Sequence, residues 1–144
     1  MATINPYLIF NGNCEEAFLF YQSVFGGEIP YMGKFKEMPP GDNNPELSEE
    51  EGNRVMHVCL PIGSVFLMGS DSNSASGDVA FGNNVSISIN VESRSEADRV
   101  FNELSAEGNA YMPMSDTFWG AYFGMFADKF GINWMVNFDE NQKQ

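Results

Sequence analysis

The stretch NCEEAFLFYQSVFGG, Asn13 to Gly27, decides the fold, because a second stretch with the same grammar, SRSEADRVFNELSAEG, runs from Ser93 to Gly108. In the first, Asn13 stands three residues before Glu16, the spacing of a capping box, in which a short polar side chain and a glutamate satisfy each other's orphan backbone N–H groups at a helix start. Ala17, Phe20, Tyr21 and Val24 then recur at helical spacing and give one apolar face, so a helix is expected over Cys14 to Phe25, stopped by Gly26-Gly27. In the second, Ser93 and Glu96 repeat the box, Ala97, Val100, Phe101 and Leu104 repeat the face, and Gly108 ends a helix expected over Arg94 to Ala106. Glu16 and Glu96, Ala17 and Ala97, Tyr21 and Phe101, and Val24 and Leu104 all share one offset of 80 residues. A shared cap, face and stop in register is the mark of an internal duplication.

Working outward, Pro6 to Phe10 reads as a strand before the turn Asn11-Gly12-Asn13, and Ser86 to Val91 alternates as its twin. Further strands are expected at Glu28 to Phe35, Arg54 to Leu60 and Val65 to Met68, then at Asn109 to Met114, Ala121 to Ala127 and Asn133 to Phe138. Each half is therefore β-α-β-β-β. The fold class that follows is α+β, with two tandem βαβββ units forming a curved mixed sheet around a concave trough. The units occupy about residues 1–83 and 84–144 of a single domain. Between Glu37 and Gly52 lies a polar stretch with Pro39-Pro40-Gly41 and Ser48-Glu49-Glu50-Glu51, a loop by composition that the second half lacks.

Composition bounds the function. The chain of 144 residues, 43% hydrophobic with 13 Phe, has the makings of an aromatic-rich core. A net charge of −13 repels phosphate backbones and anionic bilayers, which argues against nucleic acid and membrane partners. Cys14 and Cys59 form no C-x-x-C motif and no disulfide framework, and Met1 to Asn5 has no basic segment leading into an apolar run. Reduced thiols in the cytoplasm are expected.

Two duplicated βαβββ units resemble the glyoxalase, bleomycin-resistance and extradiol-dioxygenase proteins, the vicinal oxygen chelate superfamily. Tyr7-Leu8-x-Phe10-x-Gly12-Asn13-x-Glu15-Glu16-Ala17, Phe20-Tyr21, Phe25-Gly26-Gly27, Met56-His57, Asp116-Thr117-Phe118-Trp119-Gly120, Gly124, Asp128-x-Phe130-Gly131 and Trp134 resemble its PhnB-like branch. Members of that branch often carry the label of a demethylubiquinone methyltransferase. The glycines here sit at strand turns and helix ends rather than in a Gly-rich cofactor turn, so the label implies little about this chain. In the superfamily's metal enzymes, ligands come from the first and last strands of each unit. The corresponding places here fall near Pro6 to Leu8, Ser86, Leu67 and Met135, none of them His, Asp, Glu or Cys. No metal and no cofactor are therefore expected.

The remaining candidates come from strand alternation. In Arg54-Val-Met-His-Val-Cys-Leu60 the apolar face Met56, Val58 and Leu60 should meet a helix, which turns the sole histidine, His57, and Cys59 toward the concave side. An imidazole there can act as acid, base or hydrogen-bond partner, and a satisfied structural histidine is the competing reading. Cys59 reads as a small apolar filler before it reads as a nucleophile. Ile87, Ile89 and Val91 should face a helix, leaving Ser86, Ser88 and Asn90 in the trough beside Leu8, Phe10, Trp119, Phe123, Met125 and Met135. Trp119 either lines the pocket mouth or closes the core, while Trp134 should pack beneath a helix and Asp128 to Gly131 should form a structural hairpin turn. The expected function is metal-free binding of an unknown small molecule, in a homodimer. The alternatives are a glyoxalase- or dioxygenase-type enzyme with displaced ligands, or a dimeric interaction module without a ligand.

Overall fold

A computed structural model describes residues 2–38, 47–73 and 77–140. The described residues fall into two compact units, Met1–Ala80 and Phe81–Gln144. Unit one runs β1 (Tyr7–Phe10), α1 (Cys14–Phe25), β2 (Tyr31–Lys34), a 3-10 turn (Phe35–Glu37), α2 (Glu49–Asn53), β3 (Val55–Ile62) and β4 (Val65–Asp71). Unit two runs β5 (Ile87–Asn90), α3 (Arg94–Leu104), β6 (Asn109–Asp116), β7 (Ala121–Ala127) and β8 (Asn133–Asp139). The sheets have strand orders β1-β4-β3-β2 and β5-β8-β7-β6. In each, the first and last strands of the unit pair in parallel and the other pairs are antiparallel. The duplication is thus written in the topology, and the fold is α+β with two tandem βαβββ units.

Each sheet is covered on one face by its own helix. Helix α1 lies on β3 and β4 and buries Cys14, Ala17, Phe18, Tyr21 and Val24 against Phe10, Val58, Leu60 and Leu67. Phe18, not the expected Phe20, is the central aromatic, meeting Phe10 and Tyr21 edge to face. Gly69 follows from that packing: a Cβ there would come within 2.6 Å of the Phe18 ring and 2.7 Å of the Leu8 carbonyl. In unit two, Ala97, Val100, Phe101 and Leu104 are buried as expected, with the Phe101 and Phe126 rings 5.1 Å apart. Trp134 is buried on the same side, and its indole N–H donates to Asp128 Oδ2 at 2.8 Å. Asp128 Oδ1 also takes the N–H groups of Phe130 and Ile132, which closes the β7–β8 hairpin.

The helix starts differ. Ser93 caps α3 as expected, its Oγ accepting from Glu96 N at 3.1 Å. Asn13 makes no side-chain cap bond, and the expected box with Glu16 is absent. Its place is taken from the far end of the unit. Asp71, buried at the end of β4, accepts from Gly12 N at 2.9 Å and Cys14 N at 3.0 Å through Oδ1, and from Val55 N at 2.9 Å through Oδ2. A carboxylate spans the turn better than Asn13 because it adds charge complementarity to the helix N-terminus.

Other expectations are corrected. The Ser48-Glu49-Glu50-Glu51 stretch is not loop: Ser48 Oγ accepts from Glu51 N and starts α2. Pro39-Pro40-Gly41 lie outside the described residues. Strand β2 is shorter than Glu28 to Phe35: it begins only at Tyr31, after Pro30, and ends at Lys34, where the chain turns into the 3-10 segment after a register break at Gly33/Lys34. Strand β4 runs past Met68 to Asp71, because pairing with β1 holds Gly69 and Ser70 extended despite their turn-like composition.

Removing the Asp71 side chain should destabilise the protein by about 3 kcal/mol or more, because buried N–H groups lose their acceptor. Ser93→Ala should cost about 1 kcal/mol, and Asn13→Ala less than about 0.5 kcal/mol. Urea unfolding of the three variants checks the order; an Asn13→Ala loss as large as that of Asp71→Ala would show that the cap has been misassigned.

Candidate functional site

The faces that the helices leave uncovered are built by strand alternation. In unit one the register pairs Tyr7 with Met68, Met68 with Cys59 and Cys59 with Tyr31, so these four side chains form a row across all four strands on the helix-free face. His57 stands on the same face, two residues along β3 from Cys59. Tyr7 Oη lies 3.2 Å from His57 Nδ1, and the two rings are stacked with centroids 5.7 Å apart. The Tyr31 ring lies on the other side, 6.2 Å from the imidazole. Gly33, the register partner of His57, makes room for it: any Cβ there would run into the Tyr31 hydroxyl. The result is an imidazole between two phenols.

In unit two the register pairs Ser88 with Met135 and Asn90 with Asn137 on the helix-free face, and Met135 in turn with Met125. Asn137 Nδ2 donates to Asn90 Oδ1 at 3.3 Å. Phe123 pairs with Asn137, and Trp119 meets the Phe123 ring at 6.3 Å. Trp119 is 59% exposed and carries Phe118, 97% exposed, against it at 5.1 Å, so it stands at the rim and closes no core. At one end of this sheet Asn83, Ser86, Tyr111, Met125, Phe126, Asn133 and Trp134 line a hollow of about 280 Å³.

His57, Cys59, Ser88, Asn90, Phe123, Met125 and Met135 therefore stand on helix-free faces, and Ser86 stands in the hollow. Leu8 and Phe10 do not. Phe10 is fully buried against Phe18, and Leu8 shares its parity on β1, which places Tyr7 and Ile9 on the helix-free face instead. Tyr7, read in the sequence only as part of a motif, and Tyr31 are missing from the expected site because nothing local marks them as partners of His57; the Tyr7–His57 contact joins residues 50 apart.

The donor set can be compared with what a divalent ion requires. At the open positions of the first and last strands stand Tyr7 and Ile9, Met68 and Ser70, Ser88 and Asn90, Met135 and Asn137. A divalent ion needs several convergent carboxylate, imidazole or thiolate ligands, and phenol, thioether, hydroxyl and amide groups do not supply them. Among the described residues no three His, Cys, Asp or Glu gather where an ion could sit. The residues do not fit the ion that the superfamily's enzymes use.

A charged cluster on unit two is structural. Arg94 lies 4.1 Å over the Tyr122 ring and bonds Asp116 at 2.9 Å and Glu140 at 3.1 Å. These bonds hold the Asp116 carboxyl below its ordinary range, while the bond donated by Tyr122 Oη to Asp98 Oδ1 at 2.6 Å raises the phenol. The cluster ties the start of α3 to β6, β7 and the chain beyond β8.

Comparison with known proteins agrees with this architecture. Residues 2–137 match the family described as 3-demethylubiquinone-9 3-methyltransferase. The chain belongs to that family. Protein YjdN of Escherichia coli (strain K12) is 32% identical, with 96% of this chain and 97% of that protein covered. The protein PA1353 from Pseudomonas aeruginosa is 43% identical with a TM-score of 0.84, covering 96% of this chain and 98% of its own. A PhnB protein from Bacillus cereus, named as a putative 3-demethylubiquinone-9 3-methyltransferase, is 28% identical at a TM-score of 0.76, covering 95% and 99%. FosX, the fosfomycin resistance protein from Listeria monocytogenes, shares the fold alone, at 12% identity and a TM-score of 0.65 over 98% of this chain and 95% of that one. The PhnB protein falls in the same family, so the chain is PhnB-like, as its motifs imply.

The two thiols differ in a way that can be measured. Cys14 is buried at the start of α1, and burial first, then the Asp71 and Glu15 charges, push its thiol far above the ordinary range. Cys59 is only half-buried. Iodoacetamide at mildly alkaline pH should alkylate the half-buried Cys59 in the folded protein and reach Cys14 only after unfolding. Peptide mapping of the two sites reads the outcome, and equal labelling of the folded chain would contradict it.

Proposed function

We propose that this PhnB-like protein binds a small apolar or amphipathic molecule on its helix-free sheet faces without the aid of a metal ion. The observation that carries this reading is the composition of those faces. Met125, Met135 and Phe123 surround a few uncharged polar anchors, Ser88, Asn90 and Asn137, and a hollow of about 280 Å³ lies beside them. Apolar side chains interspersed with placed, uncharged polar groups are the chemistry of a ligand site. In a chain of net charge −13, the absence of a carboxylate from these central positions favours uncharged or weakly polar ligands.

The methyltransferase label gains no support from the helix starts. The turn Asn11-Gly12-Asn13, which leads from a strand to a helix N-terminus, is closed by the Asp71 carboxylate on Gly12 N and Cys14 N. The N–H groups of that turn are already taken and are not available to a cofactor.

A thermal-shift screen of the purified protein against a metabolite and antibiotic library tests the reading. A ligand held at about 100 times its Kd adds about 2.7 kcal/mol to the native state, enough to raise the melting temperature by several degrees. Asn90→Leu should weaken that ligand, and Zn²⁺, Ni²⁺, Mn²⁺ or Fe²⁺ should give no specific shift. Stoichiometric metal held by side chains of the sheet faces would overturn the metal-free reading.

We also propose a homodimer, since each sheet ends in two edge strands and the Phe118–Trp119 pair stands in solvent. Light scattering at micromolar protein in moderate salt should give twice the 16.0 kDa of one chain. A mass of one chain throughout would reject it.

A further inference from the structure

The open face of unit one carries a cluster of two phenols and an imidazole. Tyr7, His57 and Tyr31 come from β1, β3 and β2, and Gly33 leaves the space that lets the Tyr31 phenol reach the imidazole's neighbourhood. Tyr7 and Tyr31 are exposed and His57 half-buried, so part of the group's surface is open to a ligand.

The hydrogen bond from Tyr7 sets what the imidazole offers. A phenol hydroxyl is a better donor than acceptor, and an unprotonated ring nitrogen is a good acceptor, so the 3.2 Å contact is best made by Tyr7 Oη donating to His57 Nδ1. In the neutral ring with that bond, the proton is carried by Nε2, the tautomer on which the proposal below rests. Among the described residues Nε2 has no hydrogen-bond partner, and neither has Tyr31 Oη. The face thus presents an N–H donor flanked by two aromatic rings.

We infer that this group is a subsite for a flat, uncharged aromatic molecule that carries a hydrogen-bond acceptor, a carbonyl oxygen or ring nitrogen, directed at His57 Nε2. The inference deepens the small-molecule reading above and rests on it. Stacking on a tyrosine ring supplies the preference for a flat ligand, and the Nε2 proton supplies the preference for an acceptor over a donor. The net charge of −13 selects a neutral acceptor over an anionic one.

His57 is the sole histidine, so its ring nitrogens and protons give a single set of resonances in the full-length protein. The test titrates two flat probes into ¹⁵N-labelled protein: coumarin, which offers a carbonyl acceptor and no donor, and indole, which offers a donor and no comparable acceptor. Coumarin should shift the Nε2 signal saturably, and indole should bind at least about threefold more weakly. Tyr31→Leu, on an exposed side chain, should weaken coumarin by about three- to tenfold while the amide spectrum remains that of a folded chain. Tyr7→Phe should change the Nδ1 resonance before any probe is added.

Indole binding as tightly as coumarin would overturn the assignment of the donor, and an imidazole signal unmoved by either probe would overturn the subsite. Library ligands that stabilise the His57→Ala protein as well as the wild type would remove this subsite while leaving the general reading intact. A library without a single stabilising compound would count against both.

Discussion

Unit one hangs on a single carboxylate. Asp71 ends β4, yet its oxygens hold the backbone N–H groups of Gly12 and Cys14 at the start of α1 and of Val55 at the start of β3. Three chain segments distant in sequence are fixed relative to one another by one buried side chain. The same bonds set the entry of α1 onto the sheet, and with it the face of that helix that meets Phe10, Leu60 and Leu67. They also close the strand-to-helix turn to other anions. Fold and candidate site share this origin, since the helix that covers one face of the sheet leaves the other to Tyr7, Tyr31, His57 and Cys59.

The duplication was legible in the sequence because helix periodicity and stops are local signals, and both long helices begin where the pattern places them. The faces of β1 were not. Carrying the offset of 80 from helix to strand aligns Leu8 with Ser88 and Phe10 with Asn90. Yet Phe10 lies under α1 while Asn90 lies on the open face. Phe10 stands four residues before the start of α1, and Val91, the buried residue that ends the matching run, stands three before α3. Gly12, with a φ of 115°, sits in the longer turn. One residue more or less between strand and helix exchanges every side chain between faces, and composition does not reveal it.

The same limit applies to the candidate site. Alternation correctly put His57 and Cys59 opposite Val58 and Leu60, because that pattern is carried by adjacent residues of one strand. The partners that give His57 a defined geometry come from two other strands. The cap by Asp71 was hidden for the same reason: a local Asn13 with Glu16 three residues on looks sufficient, and only the sheet pairing shows that a residue 59 positions from Gly12 does the work. Local grammar predicts elements; register and long-range pairing decide what they present.

The placement of the aromatic and imidazole side chains has a spectroscopic consequence. Both tryptophans, Trp119 and Trp134, belong to unit two, and the only histidine belongs to unit one. Trp134 is 1% exposed and Trp119 is 59% exposed, so their emission should differ in colour. Intrinsic tryptophan fluorescence therefore watches unit two alone, and the imidazole resonances watch unit one alone. A denaturation followed by both signals would separate a chain that melts in one cooperative step from one whose halves part company, because coincident transitions are what a two-state protein requires.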